Sequence, residues 1–219
     1  FPYIWHFNTY VAAIFKFFLL LVIVSMMANE YANKTLKQNL IDGLSKKEFI
    51  LSKFYTVIAF SLVSTVFVFV VSLVLGLIYS DYNEFSIIFS DLEFLLAFFV
   101  KLLGFFSFGL FLGILIKRSA FAVGAMFVWL IVESITKGML YWKFESSVET
   151  VMQFFPLEAM SNLINQPGSR LNAVQTVAKQ VGEDLSYDYA VHWYEIVIVL
   201  AWTALFIFLS YRLLKKRDL

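Results

Sequence analysis

The chain has 219 residues, of which 61% are hydrophobic, 19% aromatic and only 15% charged. Soluble domains carry about 45–50% apolar and about 25% charged residues, so this balance excludes a water-soluble globule, a disordered chain and a nucleic-acid binder. The formal net charge of +1 hides 17 basic and 16 acidic residues that segregate along the chain, and with no cysteine there is no disulfide framework, thiolate metal site or cysteine nucleophile.

A hydrocarbon core about 30 Å thick needs about 20 predominantly apolar residues of helix. Runs of that length predict an all-α integral membrane protein with five spans, near 7–28, 54–79, 94–116, 121–141 and 194–214, in one transmembrane domain covering residues 1–219. The first span contains Lys16. It is followed by a polar segment, 29–53, in which Leu36, Leu40, Ile41 and Leu44 recur at helical spacing while Lys37, Gln38, Asn39 and Asp42 fill the other face. That pattern predicts a short amphipathic helix. Gly43 stands where a left-handed residue ends such a helix, and Ser45 with Glu48 matches a capping box opening the next one, which runs into the second span.

After the second span, the connection from Tyr79 to Glu93 holds Asp81, Glu84, Asp91 and Glu93 and no basic residue. The third span carries Lys101 and the pattern Gly109-Leu110-Phe111-Leu112-Gly113, a close-approach motif read first as packing within the chain and second as a dimer contact. Lys117 and Arg118 precede the fourth span, which contains Glu133 and Lys137 as an i, i+4 pair with acid before base. Lys101 and Glu133 fall at similar depth. Charges inside a bilayer need partners. Lys16, Lys101, Glu133 and Lys137 are therefore expected to form a polar cluster, either a structural pair with snorkelling lysines or the lining of a substrate-accessible cavity.

The connection at 144–193 is too long for a plain loop and carries helical patterns of its own. Ser146 and Glu149 form a second capping box, Pro156 interrupts the segment, and Leu157, Met160, Leu163 and Ile164 continue an apolar stripe to the turn at Pro167-Gly168. Leu171, Val174, Val177, Ala178 and Val181 mark a further amphipathic helix stopped by Gly182. After the fifth span the chain closes on Lys215-Lys216-Arg217-Asp218-Leu219.

Lysine and arginine in short connections are retained on the cytoplasmic side. Lys34, Lys37, Lys46, Lys47 and Lys53, then Lys117 and Arg118, then the C-terminal cluster alternate correctly, which predicts an outer N-terminus and a cytoplasmic C-terminus in the cytoplasmic membrane. Trp5, Tyr141, Trp142, Tyr189, Trp193 and Tyr194 form an aromatic belt at the outer boundary. A chain that begins with Phe1 already outside implies a preceding span, so the parent protein is expected to have six spans with both termini inside.

The series Glu30, Thr35, Leu36, Gly43 and Lys53 between two spans resembles the permease subunits of ABC-2 type ABC transporters, as does the closing Lys215-Lys216-Arg217-Asp218-Leu219. In that family a Glu ending one span precedes a short coupling helix, a Gly-containing turn, basic residues and a Lys entering the next span. The matching positions are Glu30, the 35–42 helix, Gly43, Lys46 or Lys47, and Lys53; Leu44-Ser45-Lys46-Lys47 replaces the Pro and Arg often found near the turn. The resemblance implies an exporter permease working as a homo- or heterodimer with two cytoplasmic ABC ATPase subunits, and re-entrant helices in the outer leaflet before Pro167. Leu36, Leu40 and Leu44 would enter a groove of the ATPase.

No G-x-x-x-x-G-K-[ST] loop occurs in the chain, so ATP and magnesium are expected on the partner subunit. No catalytic constellation is legible, and His6 and His192, both at the outer boundary, read as interfacial side chains rather than a metal site. The alternative function is a membrane anchor or assembly protein whose basic segment binds anionic membrane lipid.

Overall fold

The computed structural model describes residues 2–80, 84–143, 148–170, 174, 176 and 188–217. Among them every regular element is helical. Four helices are long and apolar enough to cross a membrane: α4 (Lys46–Tyr79), α6 (Glu93–Ile116, entered through the short α5, Phe85–Ile88), α7 (Ser119–Lys143) and α10 (Trp193–Lys216). A fifth crossing is present if α1 (Pro2–Ile14) and α2 (Lys16–Ala32) are taken together, since they pass jointly but meet at 49°. The first expected span is thus a broken one. The break falls at Phe15, whose N–H bonds to the Ala12 carbonyl at 3.1 Å, three residues back. With no proline or glycine at the bend, the local sequence gives no sign of it.

Between α2 and α4 lies α3 (Thr35–Ile41), the expected amphipathic helix. It ends in a Schellman motif, with the Gly43 N–H on the Leu40 carbonyl at 3.3 Å and the Leu44 N–H on the Asn39 carbonyl at 3.0 Å. Gly43 takes φ +105°, a conformation that excludes an ordinary side chain. Ser45 then caps α4: its hydroxyl accepts from the Glu48 N–H, and the Glu48 carboxylate accepts from the Ser45 N–H at 2.9 Å. In the long connection, α8 (Val148–Met152) and α9 (Pro156–Asn162) form, followed by a 3₁₀ turn at Pro167–Arg170. Pro156 opens α9, where its missing N–H costs nothing. Ser146 of the second capping box lies outside the described residues, as do Leu171, Val177, Ala178, Val181 and Gly182 of the later amphipathic segment.

The helices gather around α6. It is 78% buried over its span, against 17–22% for α4, α7 and α10, and it touches α1, α2, α4, α7, α9 and α10. Missing side chains make that possible. A Cβ built on Gly109 would stand 2.2 Å from Leu20 Cδ1, one on Gly113 3.1 Å from Met27 Cβ, and one on Gly104 2.8 Å from Val199 Cγ1. The Gly109/Gly113 face is therefore spent on α2, inside the chain. Phe108 stacks on Phe206 of α10 at 4.5 Å, and the Phe17 ring of α2 meets Phe105 edge-on at 5.0 Å.

Gly109→Val forces α2 away from α6 and is expected to destabilise the fold by about 1–3 kcal/mol, the usual cost of overpacking. Gly124→Ala, where a new Cβ meets nothing within 4 Å, serves as the neutral or slightly stabilising comparison. Thermal unfolding of the two variants in detergent separates them.

Candidate functional site

Two polar constellations stand at opposite ends of the bundle. At the lysine-rich end, the Glu30 carboxylate near the close of α2 pairs with Lys53 of α4 and accepts the Thr35 hydroxyl, at the first position of α3, at 2.5 Å. One carboxylate thus joins three helices. The ammonium of Lys53 also lies 5.1 Å from the Phe49 ring centre. These three residues are among those that carry the resemblance in the sequence, and the Glu30 carboxylate contacts both of the others.

The apolar residues of α3 divide differently from expectation. Leu36 is only 1% exposed and belongs to the chain's own core, and Leu40 packs partly against that core. Neither is the outward anchor expected from the sequence. Leu44, the third expected anchor, is 37% exposed and shares the free apolar surface with Ile41, 74% exposed. The Glu30–Thr35 bond holds the start of α3 to α2 right beside the buried Leu36. Lys47 is exposed, whereas Lys46 donates to the Arg217 carbonyl at 2.8 Å. Arg217 in turn donates to the Ile114 and Leu115 carbonyls at 2.5 and 3.0 Å, covering acceptors that the end of α6 leaves without helical partners.

At the other end, three of the four charges expected within the membrane, Lys101, Glu133 and Lys137, meet α9. The Glu133 carboxylate of α7 accepts the N–H groups of Leu157 and Glu158 at 3.2 and 3.0 Å, and the Trp129 indole N–H at 2.5 Å. Phe155, the residue before α9, supplies no side-chain cap, so a carboxylate from another helix takes that role. Lys101 of α6, 3% exposed, donates to the Ser161 carbonyl at 3.3 Å toward the other end of α9. Lys137 pairs with Glu158 at 2.5 Å. The expected Glu133–Lys137 pairing gives way because the free N–H groups at the helix start hold the carboxylate, and a better-placed acid holds the lysine. Lys16 sits at the α1/α2 break with its ammonium 4.8 Å from the Phe105 ring centre.

A cavity of about 850 Å³ opens beside α9, lined among others by Lys137, Glu149, Glu158, Asp188 and Glu195. Of the four intramembrane charges, Lys137 borders it; Lys16, Lys101 and Glu133 are not among its described lining residues. His6 and His192 are held separately, His6 Nε2 at 2.7 Å from the Asn165 carbonyl and His192 Nε2 at 3.3 Å from Asp188. Among the described residues no group of three or more His, Cys, Asp or Glu side chains is placed to hold a metal. Trp129, Glu158 and Trp202, whose indole donates to the Phe154 carbonyl at 2.9 Å, were not singled out from the sequence as polar partners. Only Glu158 carries a local signal, as an acid in the first turn after Pro156.

Residues 3–219 match the model of the DUF2705 family, described as a protein of unknown function, and the chain belongs to that family. No curated protein matches it, and no solved structure does.

Replacing Glu133 with Leu leaves two N–H groups of α9 without an acceptor and is expected to cost about 1–3 kcal/mol of stability, with Glu133→Gln milder because one carbonyl oxygen remains. Hydrogen exchange at the Leu157 and Glu158 amides reports the change directly, rising in the Leu variant before global unfolding does.

Proposed function

We propose that this chain is the membrane permease subunit of an ATP-driven exporter of the ABC-2 type, lying in the cytoplasmic membrane with its lysine-rich end in the cytoplasm. The broken α1/α2 pair then counts as one of five spans, and both α3 and the C-terminus face the ATPase. The observation that carries the reading is the Glu30–Thr35–Lys53 contact. It fixes a short amphipathic helix rigidly to two spans while leaving Ile41 and Leu44 exposed beyond it. A helix so held passes a push on its outer face to α2 and α4 together, which is the mechanical requirement for coupling.

In this reading the chain performs no bond chemistry. ATP and magnesium are held by two separate ATPase subunits, and a second permease subunit, identical or different, completes the path. Closure of the ATPases moves the α3 helices, and the spans follow. The acid-rich end with α8 and α9 faces outward, so α9 stands where cargo leaves the membrane.

Ile41→Asp combined with Leu44→Asp is expected to abolish co-purification with the cognate ATPase subunit in mild detergent while leaving the melting temperature unchanged, because both residues are exposed. Binding of the basic segment to anionic vesicles with no ATPase captured favours the membrane-anchor function instead, whereas an ATPase complex that survives the double change removes Ile41 and Leu44 from the contact.

A further inference from the structure

The cavity of about 850 Å³ beside α9 is a feature that the coupling role leaves unused. Its walls come from α7, α8, α9, the 3₁₀ turn and the start of α10. Ligand pockets of about 300–1,000 Å³ are ordinarily lined by hydrophobic and aromatic side chains with a few polar groups among them. This one differs. Val174 is the single aliphatic side chain among its described lining residues, so what fits it is itself polar.

Glu149, Glu158, Asp188 and Glu195 bring carboxyl groups to the wall, and Lys137, its one basic residue among those described, is already held by Glu158 at 2.5 Å. Asp188 has His192 Nε2 at 3.3 Å. Glu149 is exposed, and its carboxylate forms no hydrogen bond or ion pair among the described residues. The side-chain amides of Asn162, Asn165 and Gln166 likewise make no hydrogen bond among the described residues, and each offers two donors and an acceptor. Carboxylates alone at a surface are satisfied by water and signal nothing further. Here they border a hollow of ligand size together with unspent carboxamides, and the two features jointly select a chemistry. The carboxylates call for positive charge, and the carboxamides call for donors and acceptors side by side. A polyamine has the charge without the acceptors, and a neutral sugar has the donors and acceptors without the charge. A peptide with basic side chains has both, and the volume admits a short segment of it rather than a folded domain.

We propose that the cavity beside α9 binds a short basic peptide segment, with Glu149 receiving an ammonium or guanidinium group and the amides of Asn162, Asn165 and Gln166 meeting the peptide backbone. Charge-assisted contacts to the carboxylate supply most of the affinity, and the carboxamides distinguish a peptide from other organic cations. As the cargo class of an exporter this rests on the permease reading. As a binding site it does not, and it is measured with no ATPase present.

The test uses the full chain in lipid nanodiscs, titrated calorimetrically with a trilysine peptide blocked at both ends. The expected result is one peptide bound per chain, with binding at least about tenfold weaker for the same peptide carrying acetylated lysines and for the parent peptide on Glu149→Gln. Gln166→Ala is expected to weaken the peptide severalfold and to leave spermidine, which has the charge and no carbonyl groups, unchanged. Asp42→Asn removes an exposed acid at the opposite end of the bundle and is expected to bind as the parent chain does. Should Glu149→Gln fail to fold, Gln166→Ala and the acetylated peptide carry the comparison. Binding indifferent to lysine acetylation or to Glu149→Gln in folded protein, equal binding of spermidine and peptide, or an equal loss in Asp42→Asn overturns the proposal. A chain that binds the peptide and captures no ATPase keeps this site and loses the exporter reading, whereas one that captures the ATPase and ignores the peptide loses this site alone.

Discussion

The whole arrangement depends on how closely other helices approach α6. A helix can be three-quarters enclosed by neighbours only where its backbone is bare enough to let them in, and Gly104, Gly109 and Gly113 supply those places. In a bilayer, lipid tails are as apolar as leucine, so helix association gains little from burying apolar surface and rests on close van der Waals contact and on polar groups that must find partners. Both are concentrated on this helix. Leu20 and Met27 of α2 fit against Gly109 and Gly113, Val199 of α10 fits against Gly104, and Lys101 reaches from the same helix to α9.

The same constraint explains the charges. A seven-residue helix such as α9 leaves most of its terminal N–H and C=O groups without helical partners, and in an apolar setting water does not relieve them. Glu133 and Lys101 meet opposite ends of α9 with the sign that its dipole favours, negative at the start and positive toward the close. Two residues that are costly alone thus become the means by which a short helix is held at depth. Trp202 fixes the preceding turn through the Phe154 carbonyl, so α6, α7 and α10 all contribute to one support.

What the sequence makes legible follows from the range of the interactions. The Ser45–Glu48 cap, the Gly43 turn and the limits of α6, α7 and α10 are set by neighbours a few residues away, and spacing alone locates them. The partners of Glu133 and Lys137 are not, because the backbone of α9 lies some 24 residues from Glu133 in the chain and outcompetes the lysine one turn on. Helical periodicity does not encode that Glu30 and Thr35 meet, nor which apolar residues of α3 face the bundle. The bend at Phe15 lacks any breaker residue.

The position of Arg217 bears on how the molecule is made. Its guanidinium closes the carbonyl end of α6, and its own carbonyl receives Lys46 at the start of α4. Both helices leave the ribosome well before residue 217 does, so α6 enters the bilayer with its terminal carbonyls open and α4 with its first lysine unplaced. The lysine-rich end of the bundle is fastened only once α10 is in place. A chain that stops before the last helix therefore lacks this fastening.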